Sequence, residues 1–166
     1  MDLGDLLLVF LDGKILAMLG AAFAVIFPGL GSAKAVGMVG EVSAGVLTEE
    51  PDRFSQVLLL QALPGTQGIY GLLTAFVILN KIGVVGGPIQ EITMLQGMLF
   101  LIAALPITIV GYKSAIAQGK TAIAGIGIIA KRSQELAKAI TLAALVETYA
   151  VLALLGSILM VFGIQI

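Results

Sequence analysis

One glutamate, Glu147, stands in "LAALVETYAVLALL" (residues 142–155), and it is the only charged residue between Lys138 and the last residue, Ile166. A carboxylate near the centre of a membrane helix costs roughly 3 kcal/mol on insertion scales, so it normally marks an ion or proton route. Glu147 lies nine residues past Lys138, about 13 Å along a helix axis at ~1.5 Å per residue. That depth is inside hydrocarbon. A second stretch, "LPGTQGIYG" (residues 63–71), places Leu63, Thr66, Gln67 and Tyr70 at i, i+3, i+4 and i+7, one continuous face of a helix. Three of the four carry side-chain oxygen. Pro64 has no amide hydrogen and clashes with the preceding turn, which releases carbonyls near Leu60 and beyond. Irregular backbone at membrane depth is tolerated only against protein or a cavity. A carboxylate, a hydroxyl, an amide oxygen and a freed carbonyl make a hard-oxygen nest suited to a small alkali cation. Gln118 adds a neutral amide in an alanine–glycine environment. The plainer alternatives are polar glue between helices for the stripe and a protonated, hydrogen-bonded glutamate at 147.

The elements that must position these residues follow from composition. The 166-residue chain is 59% hydrophobic and 11% charged, whereas a soluble domain carries about a quarter charged residues. Its apolar runs reach the roughly 20 residues needed to cross a ~30 Å hydrocarbon core, so the chain reads as an all-α integral membrane protein. Cysteine and histidine are absent, which excludes disulfides and leaves oxygen as the plausible ion ligand. With a net charge of −1, nothing points to nucleic acid. The start, "MDLGDLLLVFLDGK", is acidic, whereas a secretory leader begins with a basic region; no cleaved targeting peptide is expected.

Four spans are predicted, over about 15–47, 54–80, 92–130 and 136–164. They are separated by "TEEPDR" (48–53), the glycine- and proline-rich "KIGVVGGPIQE" (81–91) and "KRSQE" (131–135), each a turn or loop signal. Only helices of this length or closed barrels satisfy the backbone in lipid. Spans one and three exceed a bilayer, so Lys34, Glu41, Lys113 and Lys120 are expected to reach water or snorkel; Lys34 and Glu41 read as tuning one end of the protein rather than forming a second site. Arg53, Lys131, Arg132 and Lys138 sit at the two connections after spans one and three. The basic-residue rule therefore puts loops 48–53 and 131–135 in the cytoplasm and both termini outside.

The halves repeat. A shift of 82 residues brings Gly29 onto Gly111, Ser32 onto Ser114, Ala33 onto Ala115, Gly37 onto Gly119, Gly45 onto Gly127 and Thr66 onto Thr148. The expected organisation is two duplicated two-helix hairpins in parallel orientation, residues 1–90 and 91–166. The alignment sets Gly65 against Glu147 and Val36 against Gln118, so only the second hairpin carries the ionisable group. Gly29, Gly37 and Gly45 in span one, and Gly111, Gly119 and Gly127 in span three, form small-residue stripes that let backbones approach closely. Such stripes suit a crowded ring of subunits or ordinary packing inside one chain. "GIGIIA" (125–130) and "GKT" (119–121) mimic nucleotide motifs, but the first lacks its strand–helix setting and the second its preceding glycine. No nucleotide and no organic cofactor is expected.

Together "LPGTQGIYG", "SAIAQGK" and "LVETY", on duplicated hairpins, resemble the rotor-ring proteolipid of V-type ATPases (the c-type subunit, or subunit K), and among these the sodium-pumping bacterial form. The likeness covers the chain from about Met18 onward. It implies a homo-oligomeric ring in a prokaryotic plasma membrane, with a stator subunit, a central stalk and lipid as partners. It also implies Na+ as the carried ion, held by the Leu63 carbonyl, Thr66, Gln67, Gln118 and Glu147, with Tyr70 hydrogen-bonded to the carboxylate. A stator arginine would discharge the ion, and ATP hydrolysis in peripheral subunits would turn the ring; the chain itself is no enzyme. The alternatives are a proton-carrying ring, which would leave Thr66, Gln67 and Gln118 superfluous, and a small four-helix multidrug exporter. The exporter family keeps its glutamate in the first helix with aromatic company, unlike this chain, which has no tryptophan. A purely structural scaffold would not explain Glu147.

Overall fold

A computed structural model describes residues 12–166, and among these every regular element is helical. Residues 1–11 of the acidic start that argued against a leader lie outside the described residues. Helix α1 runs Gly13–Glu49, α2 Phe54–Ala62, α3 Thr66–Lys81, α4 Met94–Lys131 and α5 Leu136–Gly163. Three-residue 3-10 turns at Pro51–Arg53, Leu63–Gly65 and Ser133–Glu135 precede α2, α3 and α5. The four candidate membrane spans are therefore Gly13–Glu49, Pro51–Lys81, Met94–Lys131 and Ser133–Gly163, the second interrupted at Pro64. With 37 and 38 residues, α1 and α4 are each about 55 Å long at ~1.5 Å per residue. They overrun the hydrocarbon, and Lys34, Glu41, Lys113 and Lys120 are all exposed on them.

The helix starts are encoded locally. Asp12 caps α1 by accepting from the amides of Lys14 (2.8 Å) and Ile15 (3.3 Å). Thr93 and Gln96 form a reciprocal capping box on α4, satisfying donors that the helix cannot. Between α3 and α4, Gly83 (φ 80°) and Gly86 (φ 86°) adopt left-handed backbone, which glycine permits at no steric cost.

The central seam is α1 against α4, the most extensive helix pair; α3 flanks α1 and α5 flanks α4. Both central helices carry buried small residues, Ala17, Ala21, Ala24 and Ala35 on α1 and Ala103, Ala104, Ala115 and Ala122 on α4. A Cβ at Gly20 would lie 2.9 Å from the Leu101 backbone, and one at Gly31 2.7 Å from the Tyr112 carbonyl. Apolar side chains gain little by leaving lipid for protein, so close backbone approach supplies the association through packing. The second and fourth spans turn large side chains outward, among them Leu59, Leu72, Phe76, Leu145, Leu152 and Leu159.

Loosened or terminal backbone is satisfied by side chains. Beside Pro106, the Ile107 amide donates to the buried Ser157 hydroxyl (3.2 Å). Lys81 Nζ donates to the carbonyls of Val161 (2.8 Å) and Phe162 (3.0 Å), placing a cation on the C-terminal end of α5, where the helix dipole favours it.

The glycine stripes divide unevenly. Gly111 and Gly119 pack inside the chain, where added Cβ atoms would lie 3.0 Å from Pro28 and 2.8 Å from Ala35. Gly29, Gly37, Gly45 and Gly127 have nothing within 4 Å. Of the two uses that the stripes suit, Gly111 and Gly119 take packing inside the chain, because α4 spends that face on α1. Gly31→Val should overpack the seam and lower stability by about 1–3 kcal/mol, read as earlier heat-induced loss of the detergent-solubilised protein; wild-type heat resistance would contradict the packing assigned to this position.

Candidate functional site

The break in the second span creates the site's floor. Pro64, buried, sits in the 3-10 turn Leu63–Gly65. There the Thr66 amide turns back to the Leu63 carbonyl, and the Thr66 hydroxyl donates to the same oxygen at 3.1 Å. The carbonyl met by the oxygen stripe is thus that of Leu63. Two amides further on, Gly68 N–H donates to Ser32 Oγ of α1 at 2.9 Å. A helix start inside a membrane exposes amides that water cannot reach, and α1 supplies the missing cap.

Above this floor, Thr66, Gln67 and Tyr70 leave α3 on the face that meets α4 and α5. Gln67 and Gln118 are fully buried. Gln67 Nε2 donates to Gln118 Oε1 at 2.5 Å, and Gln118 Nε2 donates to Glu147 Oε2 at 3.2 Å. The Tyr70 hydroxyl donates to Glu147 Oε1. Thr66 Oγ1 also lies 3.4 Å from Gln67 Oε1, and its one proton can serve either that oxygen or the nearer Leu63 carbonyl. One chain of hydrogen bonds therefore runs from the proline break on the second span, through α4, to the carboxylate on α5.

Both carboxylate oxygens receive a donor, and a carboxylate accepting at both oxygens is matched to its ionised form. Yet the three ion pairs among the described residues, Lys14–Glu91, Arg53–Glu50 and Lys138–Glu135, involve other residues. Among the described residues there is also no cluster of three or more His, Cys, Asp or Glu. Any cation held here would face one negative charge and otherwise neutral oxygens, a setting whose charge balances for a monovalent ion.

At the equivalent place the first hairpin shows the same frame without the carboxylate and its amide donor. Gly65, the counterpart of Glu147, faces Val36, the counterpart of Gln118, with a Cβ built on Gly65 lying 3.8 Å from the Val36 side chain. Beyond the match of Ser32 with Ser114, the residue pattern alone does not mark hydroxyls on the central helices as part of a site. Both serines are buried and bonded there. The available signal was a hydroxyl at equivalent places in two apolar helices, since a buried hydroxyl requires a partner.

A four-helix, multi-pass membrane protein that holds one carboxylate between helices by neutral donors belongs to the class that moves ions through lipid. The family model for the ATP synthase C subunit matches it twice, at residues 19–78 and 101–160, two stretches offset by the same 82 residues as the internal repeat. The chain belongs to that family and is a V-type rotor-ring proteolipid, a membrane component of an ATPase complex rather than its catalytic part. It is 47% identical over 159 residues to the V-type sodium ATPase subunit K of Enterococcus hirae, covering 96% of this chain and 98% of that one. It is also 37% identical over 153 residues to the A-type ATP synthase subunit K of Methanocaldococcus jannaschii, covering 92% of this chain and 64% of that one. Membership sets aside the drug-exporter reading.

A hydrogen bond to a charged group contributes about 1.5–3 kcal/mol. Tyr70→Phe should therefore speed modification of Glu147 by a hydrophobic carbodiimide about tenfold at neutral pH; an unchanged rate would show that the phenol does not hold the carboxylate.

Proposed function

We propose that this chain carries sodium ions across a prokaryotic plasma membrane, one ion per subunit, as one of several identical copies in a rotating ring. The supporting observation is Glu147, a carboxylate in the middle of an apolar, membrane-length helix with a donor on each oxygen, no cationic side chain paired to it among the described residues, and a trail of neutral oxygens leading to a proline break. In this reading Glu147, Thr66, Gln67, Gln118 and the Leu63 carbonyl ligate Na+. Tyr70 braces the carboxylate and Pro64 opens the backbone. The name of the Enterococcus relative, a sodium ATPase subunit, points the same way.

Mechanically, the ion neutralises Glu147 so that this face can pass lipid. An unpaired carboxylate turned toward hydrocarbon would meet the full desolvation cost. At the stator an arginine displaces the ion, and rotation driven by ATP hydrolysis in peripheral subunits repeats the cycle. The central stalk couples to the ring, and lipid surrounds it. Gly29, Gly37, Gly45 and Gly127, open in the single chain, offer small-residue faces to neighbouring copies. The chain divides as two duplicated hairpins, 1–90 and 91–166, with loops 48–53 and 131–135 in the cytoplasm and both termini outside, an orientation favoured by the placement of Arg53, Lys131, Arg132 and Lys138.

A proton-carrying ring is the rival. It needs only the carboxylate, and the buried amide pair Gln67–Gln118 would then have no task. Carbodiimide labelling of the purified ring separates the two: sodium at fixed pH should protect Glu147, whereas protection by raised pH alone would move the assignment to protons. Gln118→Leu should weaken sodium protection about tenfold or more while the ring still assembles, since it removes a donor to the carboxylate and strands the Gln67 amide. Undiminished protection in that variant would remove Gln118 from the site.

A further inference from the structure

We propose that Ser114 is a positioning residue of the ion site, setting which edge of the Gln67 amide faces the cation; the proposal rests on the sodium reading above. Ser114 is buried on α4, one turn before Gln118 and on the same face. Its hydroxyl sits between the other two site helices. It donates to the Val146 carbonyl of α5 at 3.3 Å, and it accepts from Gln67 Nε2 of α3 at 3.4 Å.

A serine hydroxyl has one proton. With that proton given to Val146, the oxygen can only accept, so the edge of Gln67 that faces it must be the NH2 group. Gln118 Oε1 makes the same demand on the other amide hydrogen. With both hydrogens claimed, the Gln67 carbonyl oxygen is turned toward Thr66 Oγ1, 3.4 Å away, on the side of the Leu63 carbonyl. Those are the oxygens proposed to hold the ion. An inverted amide would set its oxygen against Gln118 Oε1 and a committed serine, two repulsive contacts in a fully buried place, where unmet polar groups are costly. The same hydroxyl anchors α5 at Val146, the residue preceding Glu147. Ser114 thereby ties the orientation of a neutral ligand to the backbone that carries the charged one.

Its repeat partner has another task. Ser32 accepts a backbone amide, that of Gly68, and so supports the start of α3 rather than a side-chain amide. Duplication left both hydroxyls, and the second one faces the ion site.

The test is sodium protection of Glu147 against a hydrophobic carbodiimide in the intact ring. Ser114→Ala should raise the half-protecting sodium concentration about tenfold and change the ratio of lithium to sodium protection, while the labelling rate without sodium stays near wild type. Ser114→Thr, which keeps the hydroxyl, should restore protection. Ser157→Ala removes a hydrogen bond between the same two helices next to Pro106 and should leave sodium protection unchanged. If Ser114→Ala does not assemble, Ser114→Cys, close in size and a weak acceptor, carries the same expectation. Wild-type protection and selectivity in an assembled Ser114→Ala or Ser114→Cys ring, or an equal loss in Ser157→Ala, would overturn the positioning role. Absence of sodium protection in the wild type would overturn the sodium reading itself and this proposal with it.

Discussion

The structure turns on holding one negative charge where the solvent is oil. Glu147 stands in the middle of α5, a helix long and apolar enough to cross a membrane, and among the described residues it is paired with no cationic side chain. Its two oxygens are instead held by neutral donors from two other helices, Tyr70 on α3 and Gln118 on α4. Neutral donors stabilise an ionised group without cancelling its charge. In the proposed reading, that residual charge makes a mobile cation a fitting partner for a site lined by amides, hydroxyls and carbonyls rather than lysines.

Most of the remaining architecture can be read as a consequence of that requirement. Gln67 on α3 reaches Gln118 on α4, and Gln118 reaches Glu147 on α5, while the alanine- and glycine-lined seam holds α4 close against α1, which caps α3. Freed backbone must be recapped, so Ser32 serves the start of α3 beside the Pro64 break and Ser157 serves the backbone beside Pro106. Ends must be closed, so Lys81 sits on the carbonyls of Val161 and Phe162. Large apolar side chains face outward on α3 and α5 because the medium outside accepts them as well as the protein interior does.

Duplication gave two copies of one hairpin, and the comparison between them isolates the chemistry from the scaffold. Val36 and Gly65 come together in the first copy in the way that Gln118 and Glu147 do in the second. The paired serines persist in both. A single carboxylate per four helices halves the charge density that a ring of such chains would carry, relative to one per hairpin.

Much of this was legible in the residues themselves. Four apolar runs, an isolated glutamate, a proline followed by an oxygen-bearing helical stripe, and an 82-residue repeat determine the helices, the membrane setting and the identity of the central carboxylate, because spacing along a helix fixes which side chains share a face. What the spacing does not determine is which faces meet. Only the tertiary structure decided that Gly111 and Gly119 pack within the chain while Gly29, Gly37 and Gly45 stay open, that Leu63 rather than Leu60 offers its carbonyl to Thr66, and that Ser114 stands between Gln67 and Val146. The rotation of one helix against another depends on the summed packing of residues far apart in the chain, and a hydrogen bond between helices exists only after that rotation is set.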